Sequence, residues 1–320
     1  MVPPDLSVCV VNWNGAAFLP ACLQSVVEAS SGLRVETIVV DNGSTDGSAD
    51  LVAERFPEVL LLRNRSNLGF ARANNQAAAL SSGKYLLFLN NDTVVGRESL
   101  RQIVQFLEAH PEVGMLGPRL VGRDGVPQRS YRYRPTLPAL LHRLTLVRWT
   151  GLCRQAYQDY RRREFDPQQT RPVEVLLGAA VCLPRRVFFQ HGGWDEGFPF
   201  GLEDFDLSAR VATTHQVLYF AGADIVHLGK MSSRQNSGFA LTGVEAGYAR
   251  FLRKQGWSPQ AVWLYKLLVV LDLPFAILAE SAKSAWRLLR YGWHSPDGRT
   301  SELWARLWFA TLGQPIFWRA

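Results

Sequence analysis

The stretch YLLFLNNDT, residues 85–93, passes from an apolar run of strand length straight into Asn90, Asn91 and Asp92. A buried strand that ends on two amides and a carboxylate is either a plain turn or one edge of a site. Asn and Asp tolerate left-handed geometry and cap helices, so the turn reading is sufficient for this segment taken alone. The chain upstream decides between the two.

Leu6 to Val11 reads as a buried strand, followed by Asn12-Trp13-Asn14-Gly15 and a helix over about 18–29. Val35 to Val40 is a second β-branched run, and it ends in DNGSTDGS, residues 41–48. A helix carrying Leu51, Val52 and Phe56 stops at Pro57, Val59 to Leu62 gives a third strand, and Ala71 to Leu80 a third helix. Strands and helices alternating over short connections predict an α/β fold with a parallel sheet covered on both faces. Ligands of such sheets bind beyond the carboxyl ends of the strands. The clusters 12–14, 41–44 and 90–92 all fall at that edge, and three of them together favour a site over three unrelated turns. Neither GxGxxG nor GxxxxGK[ST] occurs, so a nucleotide diphosphate bound here needs another device, for which a metal ion is the natural choice.

The 320 residues carry 35 Lys and Arg against 28 Asp and Glu, a formal charge of +7 and a pI near 9.4. That balance admits nucleic acid, an anionic membrane or a phosphorylated ligand. Nucleic-acid binding predicts basic and aromatic residues interleaved on one platform; here acidic clusters occupy the sheet edge, which argues against it. Cys9, Cys22, Cys153 and Cys182 lack metal-ligand spacing, and Cys9 and Cys182 lie in apolar strands as small hydrophobes. MVPPDLSVCVV has neither a basic leader nor a cleavage site, so the expectation is a cytoplasmic site.

From about Arg119 to Arg171 the periodicity fades into a basic stretch with YRYRP and Arg161-Arg162-Arg163, read as a connection over the cleft. Val173 to Leu183 is a further apolar run. The passage GGWDEGFPFGLEDFDLSAR, residues 192–210, then brings Glu203, Asp204 and Asp206 to a helix start, where the dipole stabilises acids. Adjacent carboxylates after a Gly- and Phe-rich loop also suit a general base with a raised pKa. Arg210 reads as the partner of an acid on the same helix. A short strand at Gln216 to Phe220 precedes His227.

Ala261 to Ala279 is apolar but interrupted by Lys266, Asp272 and Pro274, so it reads as an interfacial or re-entrant segment rather than a clean span. Beyond it Lys283, Arg287 and Arg290 recur at helical spacing beside Trp286, Leu289 and Trp293. An anionic leaflet attracts such segments by about 1 kcal/mol per Lys or Arg. The alternative is an ordinary core helix.

In order, VVNWNG, VVDNGSTDGS, RNRSNLGFARANNQ, YLLFLNNDT, GGWDEGF, GLEDFDLSAR and VHLG resemble the family 2 glycosyltransferases over about residues 5–235. The nearest subgroup is the bacterial rhamnosyltransferase-like enzymes of cell-surface polysaccharide synthesis. The resemblance implies a GT-A nucleotide-diphospho-sugar transferase fold, α/β with a mostly parallel central sheet, and transfer with inversion. It implies a transferase domain over 1–240, with a donor half of about 1–118 and an acceptor half of about 170–240; composition alone, beyond the resemblance, makes 241–320 an amphipathic, membrane-interfacial helical region. Val11, Asn12, Asn14 and Asp41 are then expected to hold base and ribose, and Asn67, Gly69, Arg72 and Asn74 to line the nucleotide pocket. The family's DxD falls on Asn90-Asn91-Asp92, which keeps only its last acid. Asp92 becomes a ligand of Mn²⁺ or Mg²⁺, while Asn90 and Asn91 join the donor residues. His227, a little over twenty residues past Asp204, is a second ligand that favours Mn²⁺. Asp204 is the base, with Glu203 assisting or binding the acceptor, and Trp194 and Asp195 shape the acceptor side.

The donor expected is a nucleotide-sugar, first dTDP-L-rhamnose, with UDP-linked galactose, galactofuranose or N-acetylglucosamine as alternatives. The acceptor expected is a glycan or lipid-linked hydroxyl, reached by an enzyme peripheral on the inner face of the plasma membrane. A sugar nucleotidyltransferase would need a Gly-rich loop and Arg after the first strand, which NWNGAAF lacks. A catalytically silent, membrane-bound relative finds its support in the shortened DxD, against intact Glu203, Asp204 and His227.

Overall fold

The computed structural model describes residues 3–161, 165–228, 237–291 and 300–320. Arg162, Arg163 and Trp293, singled out above, lie outside them. In chain order the elements begin with β1 (Leu6–Asn12), α1 (Leu19–Ala29), β2 (Val35–Asp41), α2 (Ser48–Arg55), β3 (Leu60–Arg63), α3 (Phe70–Leu80) and β4 (Tyr85–Asn90). Then come β5 (Thr93–Val95), α4 (Ser99–Ala109), β6 (Val113–Val121), β7 (Pro127–Gln128) and β8 (Tyr131–Arg132). After α5 (Leu137–Leu141), α6 (Thr145–Thr150) and α7 (Arg154–Tyr160) follow β9 (Arg171–Pro172), β10 (Val175–Leu176), β11 (Ala180–Pro184), α8 (Arg185–Gln190), α9 (Glu203–Val211) and β12 (Gln216–His227). The C-terminal part holds α10 (Ser237–Lys254), α11 (Pro259–Tyr291), α12 (Thr300–Trp308), a π-helical turn at Phe309–Gly313 and α13 (Gln314–Arg319).

The sheet runs β3-β2-β1-β4-β11-β6-β12-β5. Its first four strands are parallel, as the βαβ pattern requires, and β11 then enters antiparallel between β4 and β6. Alternation along β1 sends Val8 and Val10 to one face, with Leu19, Leu23 and Val26 of α1 and Leu100, Ile103 and Leu107 of α4. Cys9 faces the other way, into a core with Ala73 and Ala77 of α3, Phe188 of α8 and Leu207 and Val211 of α9. The register pairs Asn12 with Asp41 and Val11 with Asn90, so three polar strand ends stand side by side.

Three sequence expectations change. Val173 to Leu183 is two strands, because the chain breaks at Leu177–Ala179 to pass the end of β4, where Ala179 O accepts from Asn90 N. The strand expected to stop at Phe220 continues to His227 past an irregularity between Phe220 and Asp224. The apolar segment interrupted by Lys266, Asp272 and Pro274 is one helix of 33 residues. Its charges do not break it because they turn inward and are bonded: Lys266 Nζ donates to Trp318 O, and Asp272 accepts from the Thr145 and Leu146 N–H groups.

By compactness the chain forms two units. One holds residues 1–132, 163–196 and 203–231; the other holds 133–162, 197–202 and 232–320. Residue 240 lies in the first turns of α10. In the second unit a buried polar knot joins the 133–162 arm to the long helices. Arg143 pairs with Glu245 at 2.8 Å and lies over the Tyr248 ring, Tyr265 donates to Glu245, and the Tyr160 and Tyr248 hydroxyls meet.

The first residues of α6 have no cap of their own, so Asp272 supplies it from α11. Replacing Asp272 by Ala is expected to lower stability by about 1–2 kcal/mol in urea unfolding. An unchanged midpoint would mean that the cap contributes nothing.

Candidate active site

Asn12, at the end of β1, is wholly buried. Its Nδ2 donates to Asp41 Oδ1 at 2.9 Å and Ser48 Oγ at 2.8 Å, with Ser44 Oγ at 3.2 Å, while its Oδ1 accepts from Asn91 Nδ2 at 2.8 Å. One amide therefore ties together the ends of β1, β2 and β4. Asp41 also receives the Ser44 N–H, and Asn14, at φ 49°, fixes the same loop through Ser44 and Thr45. A Cβ on Gly15 would collide with the Asn12 and Asn91 amides, which is why glycine stands there. Val11 is half-buried at the same edge.

The segment 64–69 is latched by Asn42, a member of the 41–44 cluster for which no role of its own was expected. Asn42 donates to Asn67 Oδ1 and accepts from Leu68 N and Asn64 Nδ2, and Gly69 N donates back to Asn67. Gly69 has φ 86° and opens α3. On that helix Arg72 is exposed, with Nε 3.9 Å from Glu196. Asn74, expected to line the nucleotide pocket, is instead buried, its Nδ2 donating to Phe70 O. Its neighbour Asn75 makes the tertiary link, donating to Trp194 O and Glu196 and accepting from Trp194 N. One residue on a helix is a turn of about 100°, and sequence alone gave no means of choosing between the two amides.

Trp194, expected to shape the acceptor side, is 1% exposed. Its ring is wedged edge-on against Phe70 and Phe88 beside Phe188, so it organises the core rather than offering a face to a ligand. Asp195 is half-buried beside it.

Asp92 and His227 come together because β12 pairs with β5. His227 stands opposite Thr93, and Leu228 N donates to Asp92 O. The imidazole Nε2 lies 3.6 Å from Asp92 Oδ1. Gln128 sets the tautomer: its Nε2 donates to His227 O at 2.8 Å, so its Oε1, 3.0 Å from Nδ1, must accept. Nδ1 then carries the proton, and the Nε2 lone pair faces the carboxylate. Burial lowers the His227 pKa, keeping the ring neutral as a ligand must be, against the opposing pull of Asp92. No cluster of three or more His, Cys, Asp or Glu occurs among the described residues. One carboxylate oxygen and one imidazole nitrogen nevertheless fit a divalent ion of the Mn²⁺ type that shares its other positions with water and diphosphate oxygens. Asn90, half-buried, adjoins this pair at the end of β4, whereas Asn91 is taken up by Asn12.

Glu203 and Asp204 open α9 and are the strongly perturbed acids. Burial pushes both pKa values upward, and for Glu203 the Asp204 charge adds to it. Asp204 is held back because its carboxylate accepts from Gly178 N at 3.1 Å and Phe205 N at 2.9 Å, and because Arg132 on β8 faces it. Glu203 Oε2 is buried and has no hydrogen-bond partner among the described residues. Asp204 therefore ionises first, and Glu203 holds its proton to higher pH. Arg210 reaches past its i−4 partner Asp206 to the carbonyls of His191 and Gly193, anchoring α9 to the 191–194 turn.

This imbalance has a thermodynamic consequence. A carboxyl with a raised folded pKa lowers stability once pH exceeds its unfolded value, and the penalty is complete above the folded value. Glu203→Gln is thus expected to raise the unfolding temperature at pH 9, with the gain vanishing near pH 4. A gain independent of pH would separate it from ionisation.

Comparison with known proteins follows this geometry. The model of "Glycosyl transferase family 2" matches residues 7–171, just over half of the chain. An N-acetylglucosaminyl-diphospho-decaprenol L-rhamnosyltransferase of Mycobacterium tuberculosis is 28% identical over 268 residues, covering 79% of this chain and 86% of that protein. An uncharacterised glycosyltransferase of Haemophilus influenzae is 32% identical, over 35% of this chain and 37% of its own length. Among solved structures, a mannosyltransferase of Pyrobaculum calidifontis in complex with GDP-Man and Mn²⁺ aligns over 100% of this chain and 88% of its own, with a TM-score of 0.57 at 19% identity. GalNAc-T7 with UDP, GalNAc and Mn²⁺ aligns over 80% and 52%, with a TM-score of 0.53 at 16% identity. These likenesses establish the GT-A-type fold, and the protein is a glycosyltransferase belonging to glycosyl transferase family 2.

Proposed function

We propose that the protein is an inverting, divalent-metal-dependent transferase that moves a sugar, first of all L-rhamnose from dTDP-L-rhamnose, to a hydroxyl of a lipid-diphosphate-linked glycan. The observation that carries it is the Asp92–His227 pair at the end of β4, with its tautomer locked by Gln128. The choice of sugar and acceptor draws on the name of the mycobacterial relative, and UDP-linked donors remain the alternative.

Asp92 and His227 would hold the ion, and when bound it offsets the negative charge that develops on the departing diphosphate. Asn14, Asp41, Asn67, Gly69, Arg72 and Asn90 border the donor, while Asn12 and Asn91 brace that edge from within. Asp204, the acid of the pair that ionises first, takes the proton of the acceptor hydroxyl. The hydroxyl oxygen bonds to the anomeric carbon from the face opposite the diphosphate, the carbon–oxygen bond to the diphosphate breaks, and one such displacement inverts the centre. Glu203 stays protonated beside it and can donate a hydrogen bond to the acceptor. With a lipid-linked acceptor, this reading places the protein as a peripheral enzyme on the inner face of the plasma membrane.

Calorimetric titration with dTDP, UDP and GDP, with and without Mn²⁺, is expected to give Mn²⁺-dependent binding of one nucleotide; binding of none by folded protein would refute the donor site. Asp204→Asn should lower transfer by about 10²–10⁴-fold while nucleotide binding persists. Substantial turnover in that variant would remove Asp204 as base. Gln128→Ala should weaken Mn²⁺ affinity by about 10–100-fold, and an unchanged affinity would detach Gln128 from the metal site.

A further inference from the structure

The outward face of α11 is inverted relative to a helix of a water-soluble protein. Between Ala261 and Ala282 every exposed residue is apolar: Trp263, Leu264, Leu271, Pro274, Phe275, Leu278 and Ala282 itself. Leu264, Leu271, Phe275, Leu278, Trp286 and Leu289 fall within an arc of about 80° at 100° per residue. Leu278 is 66% exposed and Leu289 89%. The ionisable residues of this stretch, Lys266, Asp272 and Glu280, are buried on the protein side. The strip from Trp263 to Leu289 is about 39 Å long.

A second element of the same unit continues it. Asp272 holds the start of α6, and from there Leu146, Trp149 and Leu152 project into solvent, Trp149 at 69% exposure. Exposed Arg148 and Arg154 flank them. Charge is partitioned in the same sense. The unit made of 133–162, 197–202 and 232–320 holds 17 Lys and Arg against 6 Asp and Glu, or +11. The remainder holds 18 against 22, or −4. Eight of the ten tryptophans lie in the basic unit, and Arg290 covers the ring of Trp286.

We infer that the outward face of α11 and the Leu146–Trp149–Leu152 turn form one docking surface for an anionic lipid bilayer, with α11 lying in the interface. Apolar area and positive charge on one surface suit acyl chains and acidic headgroups together. Lys266, Asp272 and Glu280 keep one side of the helix committed to protein, so α11 lies along the bilayer rather than crossing it. The inference extends the lipid-linked acceptor reading but does not need the donor site, which permits separate failure.

The test is flotation of the full chain with vesicles of phosphatidylcholine alone and of phosphatidylcholine with phosphatidylglycerol. Binding is expected only with the anionic lipid, falling with salt and released by alkaline carbonate. Trp149→Glu and Leu278→Glu should each weaken it by about tenfold or more, with circular dichroism and nucleotide binding unchanged. Variants that bind like the parent, or a parent that ignores anionic vesicles, would overturn the surface while leaving a nucleotide-binding transferase in place. Resistance to carbonate would overturn the interfacial placement in favour of a span. A dimer in light scattering that both substitutions dissolve would assign the face to a second copy instead.

Discussion

The side-chain amide of Asn12 is the constraint on which the polar edge of the sheet depends. Strand pairing brings β1, β2 and β4 into register, but it does not fix the loops that leave them. Asn12 does so by donating to Asp41, Ser44 and Ser48 and accepting from Asn91. Every partner is far away in sequence, and the amide has no water to fall back on. Losing one such partner in a buried site costs about 1–3 kcal/mol. Asp92 follows Asn91 directly, so the carboxylate that faces His227 is positioned by the same bond. The shortened DxD has a structural reading: Asn91 is a brace, and an acid in its place could not donate to Asn12.

The two acids at the start of α9 show how neighbours in sequence acquire different chemistry. Glu203 is buried and Asp204 half-buried, and both sit in a first helical turn where the dipole favours negative charge. Burial dominates for Glu203, whose Oε2 finds no donor among the described residues. Asp204 instead collects two backbone N–H groups and the field of Arg132. Two carboxylates whose environments separate their ionisation give one acid and one base at the same pH. The donors to Asp204 come from Gly178, in the break between β10 and β11, and from its own helix. The interruption of that apolar run is therefore what supplies a donor to Asp204.

Much of this was legible in the sequence, and the misses share a cause. The first four strands and three helices follow from periodicity because each buries one face locally. The clusters 12–14, 41–44 and 90–92 were readable as one edge because parallel topology aligns strand ends. Asn75 and Gln128 were not readable, nor was the latch that Asn42 makes to 64–69, since each acts through a pairing made by tertiary register. Gln128 reaches His227 only because β7 pairs with β6 and β12 runs seven residues past Phe220. The burial of Trp194 was not readable, because an aromatic in a polar, glycine-rich passage looks exposed. Its neighbours Phe70, Phe88 and Phe188 come from three other elements.

The long C-terminal helix marks the limit of composition as a guide. Lys266, Asp272 and Pro274 look like interruptions in a linear sequence, and the segment Pro259–Arg287 is still apolar and long enough to cross a membrane. Neither description says which way the residues face. Once the charges are seen to bond inward, to Trp318 and to the start of α6, the same residues cease to interrupt the apolar face and instead orient it. They fasten one side of α11 to protein, and only the uncharged side is left outward. A net charge of +7 for the whole chain hides the same asymmetry, because a slightly acidic unit that carries the polar edge of the sheet is averaged with a strongly basic unit that carries the apolar face. Positive charge belonging to the nucleotide site would be expected on the sheet-bearing unit. Its concentration with the exposed tryptophans instead makes the basic balance a property of the unit that carries the exposed apolar face.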